Sequence, residues 1–190
     1  METKKDLKVI AEVIAGYSFR TALQGKKDAL LFVLQAKNIF DDGVVGEYNL
    51  DGIDFENYRS KAIVKKNDVV VSSRGSFRAG LVKLENKNII ASSSVYIIRL
   101  KNKNIKPEYL AIYLNSTEGQ KQLVESSTGV TIKSIRKNDL ENIKITLPDL
   151  EVQEKIIKIY DTNKKLQKKL TNKINLISDI NEVAINKLLK

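Results

Sequence analysis

The chain of 190 residues contains no cysteine and no histidine. Without thiols there is no disulfide and no thiolate metal site, a composition that fits a reducing cytosol. Without imidazole the commonest general base and metal ligand is missing, and with it every Ser-His-Asp or Cys-His arrangement. Long hydrophobic runs are missing too: no stretch approaches the ~18 apolar residues of a membrane span, and no apolar segment follows the first lysines. The expectation is a soluble, cytoplasmic protein with no membrane partner. There is no GxGxxG and no GK[ST] phosphate loop. Proline occurs only at 107 and 148, so no Asp/Asn-Pro-Pro-Tyr/Phe methyltransferase motif is present. What remains, 42% apolar and 29% charged residues, is enough for one core-forming domain with an appendage.

The net charge of +10 is unevenly placed. Residues 1–58 carry seven basic and ten acidic side chains, whereas residues 59–106 carry twelve basic and two acidic ones. Residues 107–150 are nearly balanced, and residues 151–190 hold nine lysines against five acids. The middle window alone equals the excess of the whole chain. Such a local basic stripe is the electrostatic footprint expected for a polyphosphate partner; the alternative is a solvated lysine-rich surface.

Punctuation and periodicity give a coarse map. "LKVIAEVIAGYSFR" fits a short helix or a strand, and "ALLFVLQAKNI" (Ala29–Ile39) reads as a buried strand. "FDDGVVGEYNLDGIDF" is acidic and turn-rich, a surface loop by composition. "KAIVKKNDVVVSSRGSFRAG" reads as strand, turn at Asn67-Asp68, strand and glycine-punctuated loop, and "NIIASSSVYIIRLK" as a further strand. Pro107 is placed for a first helical turn, with Leu110, Tyr113 and Leu114 as its apolar stripe. Asn115 or Ser116 can cap a second short helix carrying Leu123 and Val124. Extended pieces return around a turn at Lys137–Asp139 and lead to "IKITLP". The expected fold class is α+β: a globular domain of short strands and small helices over residues 1–148, followed by one long C-terminal helix over 149–190.

From Asp149 to Lys190 there is neither glycine nor proline. Asp149 is a good N-cap, and Glu151 places an acid where the helix dipole favours it. A heptad seam at Ile156, Ile159, Asn163, Leu166, Leu170, Lys173, Ile177, Ile180, Ala184 and Lys187 is apolar at seven of its ten positions. A helix of this length spans roughly 60 Å, more than a ~150-residue globule can cover. The seam therefore predicts pairing with another helix, with Asn163 and Lys173 fixing register. The alternative is a helical hairpin broken near Thr171-Asn172.

The strongest binding feature is "VVVSSRGSFRAG", Val69–Gly80. Arg74 and Arg78 flank a loop containing Gly75, and Ser72, Ser73 and Ser76 offer hydroxyls to phosphate. Arginine also grips guanine O6 and N7 in the major groove. Arg59, Lys61, Lys65, Lys66 and Lys83 add candidate phosphate contacts, with Ser94, Tyr96, Lys133 and Arg136 as weaker ones. A nuclease reading would use Asp68, Glu85 and Lys87 as a metal-binding set; a third reading is a helical adaptor without DNA function.

The ordered segments "IAGYSFR", "LQAKNI", "VVVSSRGSFRAG", "KPEYLAIYLNS" and "STGVTIKSIRKNDLENIKITLPDLEVQEKI" resemble the DNA-specificity subunits of type I restriction–modification systems. The ending, with Leu147-Pro148 and then Gln153 and Ile156 opening a long helix, carries the resemblance most specifically. It implies a target recognition domain for one half of a bipartite double-stranded DNA site, followed by a spacer helix. It also implies a non-catalytic scaffold with no catalytic residue, metal or cofactor of its own. Methyltransferase subunits would use S-adenosylmethionine to methylate adenine N6, joined in the full complex by restriction subunits. Members of the family carry two such units in tandem, and the resemblance implies that the long helix pairs with a second one as an antiparallel coiled coil. One unit here implies a homodimer, or pairing with a different half-subunit, through the C-terminal helix.

Overall fold

A computed structural model describes residues 3–19, 29–40, 43, 45, 50–53, 60–83 and 88–189. Its centre is a four-stranded antiparallel sheet of order β2-β8-β5-β6, built from β2 (Ala11–Ala15), β8 (Val95–Leu100), β5 (Val69–Ser72) and β6 (Ala79–Leu81). These strands are rich in Val and Ile, which fit a pleated surface buried on both sides. The two-residue side-chain period then sends neighbours into different cores. Val69, Val71, Val13 and Ile98 join one cluster with Phe77, Leu110 and Leu114. Val70, Ile14 and Ile97 join a second with Leu34, Ile39 and Ile89.

The second core is closed by a three-stranded sheet of order β4-β3-β7, with β4 (Asp51–Ile53) antiparallel and β7 (Ile89–Ala91) parallel to β3 (Leu31–Leu34). Leu31, Val33, Ala62 and Ile90 form a small cluster on its far face. The first core is covered by α1 (Leu7–Ile10), α2 (Pro107–Asn115), α3 (Thr117–Glu125) and α4 (Lys137–Glu141). Strand β1 (Thr3–Asp6) pairs with β9 (Lys144–Leu147), Thr3 opposite Leu147 and Asp6 opposite Lys144.

The expected α+β class holds, and the differences lie in element limits. "LKVIAEVIA" is both of the things its pattern allowed, α1 and then β2. The Ala29–Ile39 strand shortens to β3 because Gln35 and Asn38 form a reciprocal cap around a 3-10 turn at Ala36–Asn38. "KAIV" supplies only an isolated bridge between Ile63 and Ile90. "NIIASSSVYIIRLK" divides at Ser92–Ser94 into β7 and β8, which belong to different sheets. The acidic loop contributes β4, while most of its other residues lie outside the described set. The turn at Lys137–Asp139 is the first turn of α4. Pro107 does open α2, and Ser116 caps α3, accepting from Gly119 N at 3.2 Å. Asn115 instead brackets the backbone of Ala79, accepting from its N at 3.0 Å and donating to its O at 2.7 Å. Leu123 is buried, but Val124 is exposed.

Helix α5 (Leu150–Leu188) is continuous over 39 residues, so the hairpin near Thr171-Asn172 does not form. Its N-cap is Asp149, whose side chain accepts from Val152 N at 2.8 Å. Gln153, fully buried, fixes the first turn to the domain. It accepts from Lys106 N at 2.9 Å and donates to Asn104 O at 3.0 Å and Pro148 O at 2.9 Å. Ile156 and Ile157 pack against the first core. Beyond them, Ile159, Leu166, Leu170, Ile177 and Ile180 on the seam are half or more exposed, as is Ile174 beside it. Asn163, Lys173, Ala184 and Lys187 are exposed as well. No described helix is long and apolar enough to cross a membrane.

Candidate nucleic-acid interface

The basic window of the sequence does not fold into one stripe. Strands β5 and β8 run antiparallel, Val69 opposite Ile98 and Ser72 opposite Val95. The loops before β5 and after β8 therefore meet at one end of the ladder, and the loops after β5 and before β8 at the other. At ~3.4 Å per residue these ends lie on the order of 10 Å apart. One end collects lysines and the other arginines and hydroxyls.

At the arginine end, the segment after β5 folds back as a closed loop. The Ser72 hydroxyl donates to Ser76 O and accepts from Arg78 N at 3.0 Å. Phe77 is buried and its carbonyl accepts from the Gln120 side chain at 2.7 Å, which anchors the loop to the core. Arg74, Gly75 and Ser76 are left exposed at the tip, with Gly75 at φ +72°, a left-handed conformation that glycine adopts without strain. Ser73 is buried, its hydroxyl donating to Ser93 O at 3.1 Å. Arg78 is half-buried.

Two more loops join this one through main-chain bonds. Gly75 N donates to Lys133 O at 2.8 Å, Ile135 N to Ser73 O at 3.1 Å and Ser73 N to Ser94 O at 2.9 Å. Ser94 Oγ lies 2.8 Å from Ser92 Oγ and accepts from Ala36 N at 3.1 Å. The three loops enclose a cleft of about 470 Å³ lined by Ser73, Arg74, Ser93, Tyr96, Ile132, Ser134, Ile135, Arg136 and Lys137. Tyr96 donates to Ile135 O at 3.1 Å, and burial pushes its hydroxyl above the ordinary phenol range, so it stays a neutral donor. Arg136 is exposed and pairs with Asp139 at 2.8 Å. Lys133 is exposed on the adjoining turn.

The lysine end holds Lys65, Lys66 and Lys83, all exposed, around the turn at Asn67, whose φ of 67° bends the chain. Lys65 and Lys66 line a cleft of about 340 Å³ with Arg99, Lys103 and Lys106. Lys106 pairs with Glu154 of α5 at 2.8 Å, so the helix leaves the domain beside this cleft. Lys61 stands apart, next to Ala62, whose carbonyl accepts from Ala91 N at the start of the Ser92–Ser94 turn. Arg59 lies outside the described residues, as do Glu85 and Lys87 of the nuclease reading. Asp68, the remaining member of that set, is buried and bound bidentately by Arg99 at 2.9 and 2.7 Å, with Lys65 N donating at 2.6 Å. That pair raises the guanidinium pKa of Arg99 and pins the turn that presents Lys65 and Lys66.

Sequence reasoning reached Arg74, Tyr96, Lys133 and Arg136 but not Ser93, Ile132, Ser134 and Lys137, which share the same cleft. The available signal was the apolar alternation of Val130 and Ile132 between Gly129 and Lys133. The same alternation fits the extended piece that the sequence leads one to expect there.

Cation- and hydroxyl-bearing loops thus lie at one end of a small α+β domain, and a long helix is anchored at the other. Residues 7–176 match the Type I restriction modification DNA specificity domain, and the chain belongs to that family. It is 30% identical over 143 residues to the type I restriction enzyme EcoBI specificity subunit of Escherichia coli, covering 73% of this chain and 30% of that protein. It is 28% identical over 180 residues to the MjaVIII specificity subunit of Methanocaldococcus jannaschii, covering 93% of this chain and 41% of that protein. In fold it is similar to the type I restriction-modification S subunit from M. genitalium, with a TM-score of 0.59 at 18% identity over 90% of this chain and 41% of that one. The chain thus spans less than half the length of the relatives it matches.

Proposed function

We propose that this chain is a DNA-reading specificity subunit of a type I restriction–modification assembly. It reads one half of a bipartite site with the arginine end of its globular domain and holds that domain in place with α5. The observation that carries this reading is the cleft in which main-chain bonds between three loops set Arg74, Arg136 and Lys137 around hydroxyls and Tyr96. Arginine side chains held at fixed spacing suit guanine edges and phosphates. The lysines at the opposite end suit backbone phosphates, which position a duplex without reading it. The chain itself carries no chemistry and binds no cofactor: methyltransferase subunits bring S-adenosylmethionine, and a restriction subunit completes the complex.

Two copies pair through the seam of α5, or one copy pairs with a different half-subunit. Support comes from the exposed row Ile159, Leu166, Leu170, Ile177 and Ile180, which the globular domain does not reach. The nuclease reading loses support because Asp68 is occupied by Arg99 and Lys65 N. The remaining alternative, a helical adaptor, differs in a measurable way. Duplex binding followed by fluorescence anisotropy should weaken by roughly 100-fold between about 50 and 200 mM salt if four phosphates are contacted. Binding that ignores salt, or no binding at either salt, would favour the adaptor. DNA cleavage or methylation by the purified chain alone would contradict a scaffold role.

A further inference from the structure

The turn between Thr128 and Ser134 carries two apolar side chains outward: Val130 is fully exposed and Ile132 is 65% exposed. The turn is built to hold them there. Thr128 N donates to Ser134 O and Ser134 N to Thr128 O, both at 2.8 Å, and Lys133 O is tied to Gly75 N of the arginine loop. Gly129 sits at φ +106°, and a Cβ on it would come within 2.3 Å of Ile132 O, so the tip needs glycine and is narrow. Ile132 lines the same cleft as Arg74, Arg136 and Lys137.

We propose that Val130 and Ile132 are specificity-determining residues that contact thymine 5-methyl groups in the major groove. The proposal rests on the DNA-reading function above. An apolar tip whose Ile132 shares a cleft with Arg74, Arg136 and Lys137, and is followed by the exposed Lys133, is complementary to a groove with phosphate walls and methyl groups on its floor. A protein-binding core of the same size would be depleted of charge around its apolar centre. Because the tip is already ordered by its own backbone bonds, contact does not have to order it first.

The test uses the full chain and the double variant Val130→Ser/Ile132→Ser. Duplexes bound by the unmodified chain are selected from a random-sequence pool. The selected pool is then amplified with either dTTP or dUTP, the latter removing every thymine methyl. The unmodified chain should prefer the thymine pool by roughly 4-fold for each buried methyl, and the double variant should show a ratio near 1. Arg74→Ala should weaken binding to both pools while keeping the preference. Equal preference in the double variant and the unmodified chain, or none in either, would overturn the methyl contact. Failure of the unmodified chain to bind any pool would overturn the DNA reading as well. Both substitutions are solvent-facing, so an unchanged melting temperature confirms that the variant is folded; if it melts early, Val130→Ala/Ile132→Ala takes its place with the same expected outcomes.

Discussion

Arg74 and Ser73 are adjacent in sequence and have different roles. Arg74 is exposed at a loop tip, and its tie to Ser134 among the described residues is through the backbone, which truncation of the side chain leaves in place. Ser73 is buried and donates to Ser93 O, holding two loops together. Arg74→Ala is expected to weaken duplex binding about tenfold or more, the value of losing one good bidentate base contact, without moving the melting temperature. Ser73→Ala is expected to lower stability by about 1 kcal/mol. Anisotropy and thermal denaturation on the same preparations separate the two effects. At this scale the arginine was legible because a cation beside a glycine has few internal uses. The serine's partner was not legible. A hydroxyl bonds whichever group the tertiary fold brings near, and Ser93 is twenty residues away in sequence.

Among the elements, the joint between domain and helix depends on two small devices. The first is the β1–β9 ladder, where Lys144 pairs with Asp6 at 2.5 Å. The ammonium of Lys144, paired with it, holds the Asp6 carboxyl below its ordinary value of 3.8. The folded-state pKa is depressed, so the stabilisation is complete above about pH 4 and is lost as the pH falls through the folded value. An Asp6→Asn variant should therefore be less stable than the parent at neutral pH, and its acid-unfolding curve should be flatter below pH 4. Circular dichroism across a pH series gives both. The second device is Gln153. Gln153→Leu leaves Lys106 N, Asn104 O and Pro148 O without the partners they have now. Unsatisfied buried groups of this kind make the loss about 2 kcal/mol or more, readable as an earlier urea midpoint.

Pro107, the caps Ser116 and Asp149, and the absence of any breaker after Pro148 made α2, α3 and α5 readable from sequence. The assignment of β7 and β8 to different sheets was not readable. It depends on Ser92–Ser94 bonding to Ala36, Ser73 and Tyr17 from three other segments. Lys137-Asn138-Asp139 carries the same chemistry as a turn and as a helix start, and only the burial of Leu140 in the first core decides for α4.

Over the whole molecule, the described basic residues of the 59–106 window are divided by β5 and β8 between two ends, with Lys61 apart from both. A linear charge count could locate the excess but not the division, because antiparallel pairing sends sequence neighbours to opposite ends. The apolar seam of α5 has the complementary property: its period was visible in sequence, and from Ile159 to Ile180 its large apolar side chains are half or more exposed. Light scattering at tens of micromolar should report a dimer, and Leu170→Lys/Ile177→Lys should shift it to a monomer while leaving the melting of the globular domain unchanged. A monomeric parent chain would contradict pairing between identical copies. A homodimer presents two identical reading surfaces about a two-fold axis, so its site must be an inverted repeat with a spacer set by two α5 helices.

Methylation mapping with the cognate methyltransferase subunits tests this account most directly. The chain is coexpressed with them in a host that lacks adenine N6 methylation, and modified adenines are located across the genome by sequencing. Methylation that requires the chain and falls on one inverted-repeat motif of fixed spacing, and that is lost or redirected by Arg74→Ala, is the predicted result. A methylation pattern that is the same with and without the chain would contradict it.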